Sequence, residues 1–121
     1  MNGLHILAEL HGCASNVDIM RQVGPLRAAC LAACRTAGLT IVAEAFHGFD
    51  NGGATGAVVL AESHVAVHTW PELDAVTLDI YVCNFSQDNR AAAEAAYAAL
   101  HAAFRPTRTV RRDVVRGNLS C

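Results

Sequence analysis

The chain has 121 residues, 53% of them apolar and 17% charged. That mix suits a compact domain with one core and excludes a disordered chain. A formal charge of −2 removes the electrostatic case for nucleic acid or an anionic membrane surface as partner.

Leu4, Ile6, Ala8 and Leu10 alternate with His5, Leu7, Glu9 and His11, the period of a strand, and Gly12 ends it. Ser15 with Asp18 three residues on resembles a capping box. Ile19, Val23, Leu26, Cys30, Ala33 and Ala37 then recur at spacings of 4, 3, 4, 3 and 4, one stripe of an amphipathic helix. Gly24-Pro25 implies a kink or a late start to that helix, and Gly38 is a natural C-cap. Cys30 and Cys34, one turn apart, read as core residues on the stripe rather than as half a metal site.

Residues 40–49 are expected to form a second strand, and Asp50-Asn51-Gly52-Gly53 a turn. Residues 58–69 read as one strand region with a break at Ser63. Within it Val65 and Val67 face opposite to His64, Ala66 and His68, and Trp70-Pro71 ends the strand. After Leu73-Asp74 turns the chain, Val76, Leu78, Ile80 and Val82 face the core. Thr77, Asp79, Tyr81 and Cys83 face the other way. Ser86 is a plausible N-cap for an Ala-rich helix over 91–104, with Ala93, Tyr97, Leu100 and Phe104 on its stripe and Pro106 stopping it. Residues 108–116 read as a last, basic strand at a sheet edge, its arginines solvated. The order strand, helix, three strands, helix, strand predicts a single α+β domain. Its expected form is a two-layer sandwich of a mainly antiparallel sheet with two helices on one face.

Two compositional facts bear on chemistry. The cysteines are Cys13, Cys30, Cys34, Cys83 and Cys121; their odd number, and an N-terminus without a signal-peptide pattern, suggest reduced thiols and a cytoplasmic protein. No run is long enough for a transmembrane helix. Lysine is absent: all nine basic residues are arginine. The chain therefore cannot hold pyridoxal phosphate as a lysine Schiff base, so any amine–carbonyl chemistry needs another carbonyl.

The densest stretch in reactive groups is Glu62-Ser63-His64-Val65-Ala66-Val67-His68-Thr69-Trp70-Pro71-Glu72. It resembles the self-cleavage motif of the prokaryotic S-adenosylmethionine decarboxylases. The likeness extends through Gly3-Leu4-His5, Gly12-Cys13, Gly38-Leu39-Thr40, Phe46-His47-Gly48-Phe49 and the strand of Cys83, over about residues 3 to 115. The resemblance implies cleavage between Glu62 and Ser63 into chains 1–62 and 63–121. In that route the Ser63 hydroxyl attacks the Glu62 carbonyl and forms an ester. Loss of the Ser63 Cα proton expels the Glu62 carboxylate, and hydrolysis of the resulting dehydroalanine releases ammonia and leaves a pyruvoyl group.

That ketone would replace pyridoxal phosphate, taking the substrate amine as a Schiff base for decarboxylation. His68 matches the residue that moves protons in processing, and Thr55 stands where the family has a processing serine. Cys83 matches the catalytic cysteine that returns a proton to the substrate carbon. Phe49 and Trp70 match aromatics that stack on adenine, and Glu72 the carboxylate on the ribose hydroxyls. The implied product is the aminopropyl donor of spermidine biosynthesis, made by a homodimer of cleaved protomers with its sites at the subunit interface.

The chain departs from the family pattern at Asn51-Gly52-Gly53-Ala54-Thr55-Gly56 and at Leu73-Asp74-Ala75. Asp74 could meet the cationic end of arginine or ornithine, which makes the same chemistry on a basic amino acid the runner-up. A dimeric binding or regulatory relative that does not process is a third reading. A zinc hydrolase built on His64, His68 and Cys83 is a fourth, without a recognisable metal motif.

Overall fold

The computed structural model describes residues 2–14, 17–84 and 87–117. Six strands form one antiparallel sheet: β1 (Gly3–His11), β2 (Ile41–Gly48), β3 (Ala54–Leu60), β4 (His64–Trp70), β5 (Ala75–Cys83) and β6 (Arg108–Arg116). Their order across the sheet is β2-β3-β4-β5-β1-β6. Three helices complete the fold: α1 (Val17–Arg21), α2 (Val23–Thr36) and α3 (Arg90–Phe104). The α+β sandwich inferred from the sequence is thus present, with its helical layer in three pieces instead of two. The chain breaks at Gln22, whose backbone is extended (φ −120°, ψ 129°), so Gly24-Pro25 falls in the first turn of α2, where a missing N–H costs nothing. The caps expected at Ser15 and Ser86, and Cys121, lie outside the described residues.

Among the described residues, one sheet face is covered by the helices and the other is left bare. Ile6, Leu10, Val58, Val65, Val67, Val76, Ile80 and Val82 are at most 1% exposed and meet Leu26, Cys30, Leu100 and Phe104 of the helices. Cross-strand partners in an antiparallel pair share a face. The register pairs Thr55 with His68, His64 with Tyr81, His68 with Thr77, His5 with both Tyr81 and Val114, and Leu7 with both Asp79 and Arg112. These residues therefore line the bare face, and Leu7 is 38% exposed on it. The alternation of valines and histidines in β4 appears as the sequence predicted. Phe104, fully buried at the end of α3, closes the core. Phe104→Ala should cost ~3–5 kcal/mol, read as a lower urea midpoint at unchanged slope.

Two expectations need correction. Residues 58–69 are not one strand region: β3 and β4 are antiparallel neighbours joined by a turn at Ala61-Glu62, so four strands, not three, lie between α2 and α3. The Leu60 N–H donates to the Ser63 carbonyl at 2.9 Å and the Ala61 N–H to the Thr40 carbonyl at 3.0 Å. A two-residue hairpin is ordinarily marked by Asn-Gly or Asp-Gly at positive φ. Ala-Glu carries no such mark, and among the described non-glycine residues positive φ occurs at Asp74 and Arg105. The period-2 pattern runs on through the turn, which hides it.

The arginines of β6 are not all solvated either. Arg111 donates to Glu94 of α3 and to Asp113, and lies 4.5 Å from the Tyr97 ring centroid. These contacts seat the edge strand on α3. Gly56 in β3 is required by packing, since a Cβ there would lie 2.1 Å from the Phe46 ring.

Candidate active site

The residues singled out by the motif fall into two groups at opposite ends of β4. The first is built on the β3–β4 turn. Glu62 and Ser63 line a cavity of about 110 Å³ with Gly38, Leu39, Thr40 and Asn89. Ser63 precedes β4, so the pleat does not commit its side chain to either face. Cys83, 6% exposed, ends β5; because His64 pairs with Tyr81, Cys83 stands level with Glu62 on the neighbouring strand. Asn89, 7% exposed, joins the two. Its Nδ2 donates to the Cys83 carbonyl at 2.9 Å and to Glu62 Oε2 at 3.5 Å, while its own N–H donates to Asn84 Oδ1 at 2.8 Å. Sequence reading passed over Asn89, whose one signal is that asparagine at a helix start is a common N-cap.

The second group lines a cavity of about 230 Å³ with Phe49, Asn51, Gly53, Thr55, His68, Trp70 and Glu72 around it. Thr55 Oγ1 and His68 Nδ1 are hydrogen-bonded at 3.0 Å, which fixes the imidazole rotation and leaves Nε2 for proton transfer. Phe49 and Trp70 are 51% and 42% exposed, so neither is a core aromatic. The Trp70 Nε1–H donates to Thr77 Oγ1 at 3.4 Å, holding the indole at the edge of the cavity. Glu72 follows Pro71 in a short 3-10 turn that swings the chain back over the strand end.

Asp74 is outside this lining. It takes a left-handed conformation (φ 50°) behind the turn, and its carbonyl accepts the Cys13 N–H at 2.9 Å. Burial, with a smaller contribution from Asp74, pushes the Cys13 thiol up. Burial also lifts Cys30 to about 12 and Cys34 to about 11, the behaviour of core thiols and not of ligands.

Ser63 and His68 are five residues apart on an extended chain, roughly 17 Å at ~3.4 Å per residue. Within one protomer His68, Thr55, Phe49, Trp70 and Glu72 are together, and Ser63, Glu62 and Cys83 are together, but the two groups are not. The trio His64, His68 and Cys83 does not converge for the same reason. Among the described residues, the group whose ligand atoms do approach within 4.8 Å is His5, His64 and Asp79.

A family model described as S-adenosylmethionine decarboxylase matches residues 4–117. An S-adenosylmethionine decarboxylase proenzyme from Thermoplasma volcanium is 36% identical over 118 residues, covering 97% of this chain and 85% of that protein. The Aquifex aeolicus proenzyme is 43% identical over 81 residues, 67% of this chain; the matched stretch spans only 58% of that relative's length. The crystal structure of the adenosylmethionine decarboxylase from Aquifex aeolicus superposes with a TM-score of 0.87 at 33% identity, over 98% of this chain and 92% of that one.

Proposed function

Because the chain belongs to the S-adenosylmethionine decarboxylase family, we propose that it is a proenzyme that cuts itself between Glu62 and Ser63. As a cleaved homodimer it would then decarboxylate S-adenosylmethionine, the step that makes the aminopropyl donor for spermidine. The observation that carries this reading is the division of the site. Each protomer holds one complete half at each end of β4, and its bare sheet face is available to a second copy. Two such faces packed about a two-fold axis that runs across β4 near its middle would bring the Ser63 end of one protomer to the His68 end of the other.

The residues present fit a pyruvoyl group made from Ser63. The serine follows a half-buried Glu62 at the end of a tight turn, its carbonyl is already held by the Leu60 N–H, and the chain lacks the lysine that pyridoxal phosphate needs. When formed, such a group supplies a ketone that draws electrons from the substrate α-carbon as carbon dioxide leaves. The chain's own residues do the rest. The Ser63 hydroxyl is the nucleophile of processing. The partner protomer's copy of the Thr55–His68 pair moves its protons, with Thr55 keeping the hydroxyl that orients the ring. Cys83, on the strand beside the turn, offers a thiol proton to the substrate carbon. The two exposed aromatics Phe49 and Trp70 clasp adenine, and Glu72 accepts from the ribose hydroxyls.

Asp74 is not among the residues that line the cavity holding these aromatics, which favours the adenosyl substrate over arginine or ornithine. Turnover of the three compounds side by side tests this: carbon dioxide released from S-adenosylmethionine alone is expected, and preferential release from arginine would overturn it. Cys83→Ala should leave cleavage intact and lower decarboxylation by about 10²-fold or more, as loss of a general acid does. An unaffected rate would remove Cys83 from the reaction.

A further inference from the structure

His64 is the residue bonded to Ser63, and its ring is gripped from the neighbouring strand. His64 Nε2 lies 2.9 Å from Asp79 Oδ2, and His5 Nε2 lies 2.8 Å from the same oxygen. On the far side Arg116 Nη1 stands 3.1 Å from His5 Nδ1, with its guanidinium 4.4 Å from the Tyr81 ring centroid. The Tyr81 ring also meets His5 and His64, at 5.6 and 5.9 Å between centroids. The network therefore crosses β4, β5, β1 and β6, the four strands at one side of the sheet.

Two imidazoles and a carboxylate have the composition of a metal site, but the protons are already assigned. A guanidinium only donates, so His5 Nδ1 is the acceptor and His5 Nε2 carries the hydrogen that points at Asp79. An imidazole bound to a metal through Nε2 would need its proton on Nδ1, facing Arg116. The cluster is accordingly bridged by protons: Asp79 Oδ2 accepts Nε2–H from both rings, and Arg116 closes the far end.

We infer that Asp79 is a positioning residue for Ser63, acting through His64. This rests on the processing reading above. Cleavage turns residue 63 from the middle of a hairpin into a chain end, and chain ends fray unless tied down. The His64 amide nitrogen carries whatever Ser63 becomes, so a fixed His64 ring keeps that group seated on the strand before and after the cut. The side-chain clamp from Asp79 holds His64 and the backbone hydrogen bond from Leu60 holds the Ser63 carbonyl, so the two residues joined by that peptide bond are gripped from two strands.

The test is a time course of cleavage in full-length chain made by cell-free translation, followed by intact mass, for wild type, Asp79→Ala and Asp79→Asn. In parallel, the histidine ring N–H signals are read by nitrogen-15 NMR in uncut Ser63→Ala chain with and without the Asp79 changes. Asp79→Ala should slow cleavage at least tenfold and abolish the hydrogen-bonded Nε2–H signal of His64. Asp79→Asn, which keeps the shape and one acceptor oxygen, should recover part of both. Cleavage at the wild-type rate in Asp79→Ala, or a His64 ring signal indifferent to it, would overturn the inference. Should Asp79→Ala fail to fold, Asp79→Asn decides by the same two readouts. A wild-type chain that never cuts would sink the processing reading instead, and the ring signal would still decide whether Asp79 holds His64.

Discussion

Ser63→Ala is expected to leave one uncut chain of 121 residues where the wild-type protein yields fragments 1–62 and 63–121. The effect should be complete, because the Ser63 hydroxyl can reach the Glu62 carbonyl by closing a five-membered ring across the scissile bond, and alanine puts no nucleophile there. Backbone cleavage otherwise has no driving geometry in a turn closed by ordinary hydrogen bonds. Denatured intact mass reads the outcome directly. It also separates the proposed route from simple hydrolysis, since a 63–121 fragment beginning with a pyruvoyl group is lighter by one ammonia than the same fragment beginning with serine. A wild-type chain that stays whole on incubation would mean that the Thr55 loop has disabled processing. The protein would then be a binding relative of its family.

Chains carrying His68→Ala should not cut alone, and should cut when co-expressed with Ser63→Ala. The prediction follows from the distance along β4. A histidine roughly 17 Å from the serine, at ~3.4 Å per residue, cannot exchange a proton with it inside one protomer. In a mixed dimer one composite site holds both lesions and the other holds none: Ser63 from the His68→Ala chain faces His68 from the Ser63→Ala chain. Mass then shows which chain was cut. Only the His68→Ala chain should be, in up to all of the mixed dimers. Cleavage of His68→Ala on its own would remove the histidine from processing, and no cleavage in the mixture would remove the shared site. The magnitude is again all-or-none, because general acid–base help is absent from one arrangement and present in the other.

The Asp79 clamp adds a condition to both experiments. If it holds the strand end, the pairing of Ser63 with a partner's His68 depends on residues that touch neither. The same logic applies to Asn89, which ties Glu62 to the strand of Cys83 across the first half-site. Both contacts join residues far apart in the chain, 15 positions for His64 and Asp79 and 27 for Glu62 and Asn89.

Much of this protein was legible from its residues in order. Side-chain direction in a strand repeats every two positions, so the covered and bare faces of β1, β4 and β5 could be read locally. The stripe of α3 through Ala93, Tyr97, Leu100 and Phe104 followed from the helical period in the same way. The motif from Glu62 to Glu72, through its resemblance to a family, pointed to the candidate site residues proposed above. Three things could be decided only in three dimensions. The turn at Ala61-Glu62 was hidden because its residues lack the glycine or asparagine that marks a tight hairpin, and the alternation continues through it. The division of the motif into two half-sites appeared only once β4 was drawn as an extended strand with its ends far apart. The grouping of His5, His64, Asp79 and Arg116 depends on β1 entering the sheet between β5 and β6, a pairing of the first strand with the last two. Local periodicity sets which way a side chain points; which side chains it then meets is set by strand order and register, and those are fixed by packing between distant parts of the chain.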